Sequence, residues 1–116
     1  MKKQIILFFS FLILVSCKKE YTVEVYEQVD KSFWVSDSKT NTHKIKAIND
    51  NDAYEQGFTF YLGSKRANKM LEEKGIITNE TVTGFNVYNS KKENIKDNIS
   101  YEFIVELEKK YKFALE

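Results

Sequence analysis

The sequence predicts an α+β domain: an antiparallel sheet of four or five strands with one central helix packed on one face. Three observations carry this. Residues 21–29, YTVEVYEQV, alternate apolar with polar, which is the period of a half-buried strand. Ala53, Gly57, Phe60, Ser64, Ala67 and Leu71 recur at intervals of four, three, four, three and four, which is one face of a helix. Nine Phe and seven Tyr in 116 residues suit strands. Laying the helix on the sheet buries both apolar faces.

In the first expected strand, Tyr21, Val23, Val25 and Val29 share one face, and Thr22, Glu24 and Gln28 the other. DKS (30–32) reads as a turn and FWVS (33–36) as a short second strand. Adjacent strand residues point to opposite faces, so one of Phe33 and Trp34 stands outside the core. An exposed aromatic is a common binding anchor, which makes the pair a candidate site. DSKTN (37–41) reads as another turn, and THKIKAI (42–48) as a third strand alternating through His43, Ile45 and Ala47.

NDNDAYEQ (49–56) offers oxygen ligands but fails as a calcium loop. Counting from Asp50, the fifth and sixth positions are Tyr54 and Glu55, where an EF-hand needs a further oxygen ligand and a glycine. The stretch instead starts a helix. Asn and Asp accept from the free first-turn N–H groups, and Asp52 with Glu55 forms a capping pair. The helix is expected from Asp52 to Glu73, ended by Gly75. Four of its six stripe residues are small, which lets it lie close on a sheet. Gly57 is tolerated there despite a propensity cost of about 1 kcal/mol. Tyr54 and Tyr61 flank the stripe. Phe58 and Leu62 point nearly opposite it, to be covered by a loop or exposed for a partner, and so join the candidate binding residues.

ETVTGFNVYNS (80–90) reads as a fourth strand with a bulge at Gly84, and KKENIKDN (91–98) as a polar turn. From Ile99 the odd positions are mostly apolar and the even ones mostly charged. This predicts one long strand, or two segments bending near Lys109.

No catalytic or metal constellation declares itself, and no cofactor is expected. His43 is the single histidine. GSKRA (63–67) lacks the phosphate-loop pattern, and no G-x-S-x-G elbow is present. Glu106 and Glu108 read as a wet strand face. With 18 basic and 17 acidic residues interleaved, the chain shows no basic stripe for nucleic acid.

The first residues bear on location. Lys2 and Lys3 precede Ile5–Val15, eleven residues with only Ser10 polar. A bilayer-spanning helix needs about 20 apolar residues, whereas an export signal needs roughly 7–15. The run ends at Leu14-Val15-Ser16-Cys17, which resembles the lipobox of bacterial lipoproteins: aliphatic, tolerant, small, cysteine. The resemblance implies that residues 1–16 are a signal peptide read through Leu14, Val15 and Ser16. It makes Cys17 the lipid attachment site, and residues 17–116 one tethered domain. Consistent with this, a lone cysteine has no internal disulfide partner. Two or three acyl chains suffice for stable anchoring. Removing Lys2 and Lys3 leaves 16 basic against 17 acidic residues, a net charge of −1. In the lipoproteins it resembles, Lys18 in place of an aspartate implies the outer membrane, and Glu20 alone, a poor acidic cluster after the cysteine, implies the periplasmic face. The Lys/Asn/Ile-rich composition is similar to that of small Bacteroidota lipoproteins. The expected function is a lipid-anchored binding or interaction module of the envelope: an inhibitor, immunity factor or accessory subunit. Its expected partners are the membrane, through the anchor, and an envelope protein. The alternative is a small envelope enzyme using His43 with a carboxylate.

Overall fold

A computed structural model describes residues 18–30, 36–76 and 80–115. Cys17, Phe33 and Trp34 lie outside the described residues. The elements are β1 (Lys19–Asp30), β2 (Ser36–Ala47), α1 (Asp50–Glu73), β3 (Glu80–Asn89), a 3-10 turn (Lys96–Asn98), α2 (Tyr101–Lys110) and a last helical turn, α3 (Lys112–Leu115). The class is α+β, with an antiparallel sheet and one main helix.

Among the described residues the sheet has three strands, ordered β2-β1-β3, rather than four or five. Two differences account for this. Residues 36–47 form one strand, so the expected turn at 37–41 is absent. All twelve pair with β1, from Asp30↔Ser36 to Lys19↔Ala47. The polar residues that suggested a turn belong to an edge strand with one face in water, where Thr and Ser cost little. The second difference is at the C-terminus, where Tyr101–Lys110 is a helix and not a strand. Ser100 caps it by accepting from the Phe103 N–H at 3.2 Å. Glu102 in the first turn and Lys109 and Lys110 in the last complement its dipole. Phe103, Ile104, Leu107 and Tyr111 share its inner face, while Tyr101 and Phe113 are exposed. The alternation was a helical stripe combined with two outward-facing aromatics. The polar turn before it is also tied in, because Ile95 and Ile99 are buried.

β1 is the central strand and holds the core. Tyr21, Val23 and Val25 are buried as the alternation predicts. The Tyr21 hydroxyl donates to Asp50 Oδ1 at 2.7 Å, and Asn98 Nδ2 donates to Asp50 Oδ2 at 3.0 Å. One carboxylate thereby joins β1, the start of α1 and the 3-10 turn. Burial, then this hydrogen bond and the charges of Asp50 and Asp52, push the Tyr21 phenol up to about 12. β3 lies on the other side of β1, and its register slips between Tyr26↔Gly84 and Glu27↔Val82. Thr83 is the extra residue, so the bulge falls beside Gly84 as expected.

α1 begins at Asp50, two residues earlier than the sequence suggests. The cap is Asn49, whose Oδ1 accepts from the Asp52 N–H at 2.8 Å. Asp52 turns back and accepts from the Ile48 N–H at 3.0 Å. At the other end Gly75, with φ +77°, makes a Schellman closure. Its N–H donates to Glu72 O at 3.0 Å, and Ile76 N–H donates to Leu71 O at 2.9 Å.

The buried face of α1 is rotated from the expected stripe. Ala53 and Gly57 are buried, but Phe60 and Leu71 are exposed, and Tyr54, Phe58 and Leu62 are buried instead. The helix is covered on two sides. Ala53 and Gly57 meet the sheet, while Ala67 is exposed, and the large residues fill the angle closed by the C-terminal helices. Phe58 and Leu62 are therefore core residues, 6% and 4% exposed, and not an open apolar face of the helix.

A Cβ on Gly57 would lie 2.7 Å from Val87 Cγ2 and 3.2 Å from Phe85 Cε2. Gly57→Ala gains about 1 kcal/mol in helix propensity, but overpacking of this kind costs about 1–3 kcal/mol. We expect the variant to be less stable than wild type in urea titration. Val87→Ala should cost less in the Gly57→Ala background than alone, because it relieves the same clash. Equal costs in both backgrounds would count against a tight contact.

Candidate functional site

Tyr54, Phe58 and Tyr61 recur on α1 at spacings of four and three, so their rings stand on one side of the helix. All three meet Phe85 of β3, at centroid distances of 5.2, 6.1 and 5.3 Å. Tyr111 reaches Phe58 from the C-terminal side, at 5.9 Å. Lys110 Nζ donates to Glu55 Oε1 at 2.7 Å and ties that side to α1. Between these elements lies a crevice of ≈ 240 Å³. Gly84–Val87 of β3, Ile104 and Glu108 of α2, and Lys96 of the 3-10 turn complete its lining. An apolar cavity of roughly 150 Å³ suffices for benzene, so this one admits a single large side chain or ring. Burial, and then the nearby Glu108 carboxylate, push the Tyr54 phenol up, so it remains a neutral hydroxyl donor. The crevice lining is mixed: rings and aliphatic groups stand beside Asn86 and one acid and one base, Glu108 and Lys96, both exposed.

The sequence reading placed the site elsewhere. Cys17, Phe33 and Trp34 lie outside the described residues; of the two described candidates, Phe58 lines the crevice, as a core ring, and Leu62 does not. Leu62 is buried in the core. His43 is half-buried on β2, stacked on Phe60 at 4.4 Å with the ring planes 9° apart. Glu106 and Glu108 do not share a strand face, since two residues of a helix lie on different sides. The legible signal was the Tyr54-Phe58-Tyr61 spacing. Phe85, Ile104 and Lys96 could be joined to it only once the chain ends in a helix.

The opposite face of the sheet carries a tyrosine hub. Tyr26 OH donates to Glu24 Oε2 at 2.7 Å, lies 3.2 Å from Tyr88 OH, and accepts from Asn86 Nδ2 at 3.2 Å. With its proton given to Glu24, Tyr26 accepts from Tyr88 as well, which uses both lone pairs. Burial, and then the Tyr88 and Glu24 hydrogen bonds, raise the Tyr26 phenol well above its usual range. The hub is a stable polar surface with its protons held in place.

Glu27 is the buried acid. It faces the helix side of β1 at 7% exposure, and its Oε1 accepts from Asn41 Nδ2 at 3.3 Å. Oε2 has no partner. Burial first, then the negative charge of nearby Glu80, pushes its carboxyl up, while Lys39 opposes this. Lys39 also bridges to Glu80 at 3.8 Å.

Among the described residues no helix is long and apolar enough to cross a membrane, and no group of three potential metal ligands gathers. No protein-family model, curated protein or solved structure matches this chain.

Because the folded Glu27 pKa lies above the ordinary 4.5, the fold holds a proton that the unfolded chain releases. Its contribution is therefore fully present below 4.5 and declines as pH rises through the raised value. Glu27→Gln keeps the shape and removes the titration. The Tm of the variant minus that of wild type should grow from about pH 4 to about pH 7. A difference constant with pH would show that Glu27 ionises normally.

Proposed function

We propose that this chain is a lipid-anchored binding module of the bacterial cell envelope, with the ring-lined crevice as its ligand site. The anchor is the lipid on Cys17, released from residues 1–16 and seated in the outer membrane facing the periplasm. The module is of the inhibitor, immunity or accessory-subunit kind. The observation that carries the reading is the crevice: walls built largely of aromatic rings, with Lys96 and Glu108 to orient what enters. Its polar groups suit holding better than bond-breaking. The buried phenol of Tyr54 is kept protonated, and His43, the base of the enzyme alternative, packs on Phe60 away from the lining. The lipobox-like Leu14-Val15-Ser16-Cys17 supports the location.

Intact mass of the membrane-extracted protein, beside a Cys17→Ala variant, tests the anchor. We expect residues 17–116 plus acyl chains for wild type, and an unprocessed chain for the variant. An unmodified or freely soluble native protein would remove the anchor from the proposal.

For the crevice the probe is N-acetyl-phenylalanine amide, added at millimolar concentration and followed by NMR. Shifts should gather at Tyr54, Tyr61 and Phe85, and Ile104→Trp, which fills the space from a half-buried position, should weaken them several-fold. Shifts spread evenly over the surface, or none, would reject the crevice as a ligand site.

A further inference from the structure

Among the described residues β3 is an edge strand, and these cover its far side only in part. Val87 O accepts from the Ile95 N–H at 3.0 Å, and the Asn89 N–H donates to Glu93 O at 2.9 Å. These bonds show which way the strand faces. In an antiparallel ladder each residue turns both backbone groups to the same side, and alternate residues turn them the same way. Positions 87 and 89 point away from β1, so Phe85, two residues earlier and beyond the bulge, points away as well. Above it the returning segment covers the edge, ending in the bridge Tyr88↔Asn94. At Phe85 the edge runs into the crevice, whose lining includes Gly84, Phe85 and Asn86. Phe85, whose backbone donor and acceptor are turned away from β1, is therefore also one of the residues that line an aromatic slot.

We infer that the crevice takes an extended peptide segment, which adds to the sheet at the β3 edge and inserts one large apolar side chain among the rings. This rests on the crevice being the ligand site. Four features select that occupant. Only an extended backbone offers a carbonyl and an N–H spaced to meet both groups of one residue. The peptide residue opposite Phe85 would exchange both hydrogen bonds, and its side chain falls on the same face as Phe85, among Tyr54, Phe58 and Tyr61. The stretch Val82–Asn86, VTGFN, below the Val87–Ile95 bond, has no charged residue, whereas the other edge strand, β2, carries Lys39, Lys44 and Lys46. Charge, and lysine above all, is how proteins blunt an edge, so β2 is guarded and β3 at Phe85 is not. Lastly, Lys96 and Glu108 give the lining one charge of each sign, which matches a segment carrying an acid and a base on either side of its apolar residue. The partner is a protein with such a segment in a loop or terminus, bound by strand addition.

The test uses isotope-labelled protein and a panel of capped heptapeptides. Each has a central phenylalanine, tyrosine, tryptophan or leucine, flanked by glutamate and lysine in both orders. A second set carries an N-methyl group on the central residue, which removes its backbone donor and keeps its side chain. We expect at least one peptide to shift the Phe85 amide and slow its hydrogen exchange at least tenfold. N-methylation should weaken that peptide at least tenfold. If N-acetyl-phenylalanine amide fills the crevice while no peptide protects the Phe85 amide, or if N-methylation changes nothing, strand addition is overturned and the crevice reading stands. If neither probe reaches the crevice, both fall. Protection confined to β2 amides, or a concentration-dependent protection of Phe85 without peptide, would overturn the assignment in favour of the other edge or of a second copy.

Discussion

The bare Cα of Gly57 sets how closely α1 lies on the sheet, and most of the architecture follows from that distance. With Val87 and Phe85 already within about a van der Waals contact of the missing side chain, the helix cannot move inward or take on bulk there. A larger residue would lift α1, and Ala53 and the β1 valines would lose their cover. The same closeness decides where the large residues go. Rings as big as Tyr54, Phe58 and Tyr61 cannot fit beneath a helix so near the sheet. They stand along its flank, and a further element must close over them. The C-terminal helices do so, with Tyr111 against Phe58 and Lys110 paired to Glu55. The crevice is the part of that flank they leave open.

Much of this was legible in the residues, and the failures have physical causes. The alternation of Tyr21, Val23 and Val25 identified the central strand because one face of it is fully dry and the other is polar. Gly75 and the Asn-Asp run marked the ends of α1 because helix termini demand particular chemistry. Gly84 marked the bulge. The strand count failed at β2, where an edge position lets polar residues occupy a long ladder that reads locally as a turn. The C-terminal element failed because Tyr101 and Phe113 are aromatic yet face water, which disguised a helical stripe as alternation. The Ser100 cap was the available corrective, with its acidic first turn and basic last turn.

The site was less legible than the fold for a related reason. Its residues come from α1, β3, the 3-10 turn and α2, and only the α1 rings are periodic within one element. Phe85 resembles any inward-facing strand aromatic until the helix beyond it is known. Lys96 sits in a stretch that looks like a plain polar turn, although Ile95 beside it is fully buried. Conversely, Phe58 and Leu62 looked available only because the stripe was drawn along the small residues. Once the helix is covered on two faces, Ala53 and Gly57 stay against the sheet while Phe58 and Leu62, which seemed spare, join them in the core.

The position of β1 in the chain has a mechanical meaning. The strand begins at Lys19, two residues after Cys17. Two residues of backbone span at most about 7 Å, so a lipid on Cys17 would be joined almost directly to the stiffest element of the sheet. The domain would then ride on the bilayer like a post set in its footing, without the long leash that lets many surface proteins sample the space above them. Val25, which pairs with Phe85, is six residues along the strand from Lys19, roughly 20 Å from the attachment end. The crevice would be held near that one height, and a partner would meet it only by approaching the membrane to within the same short distance.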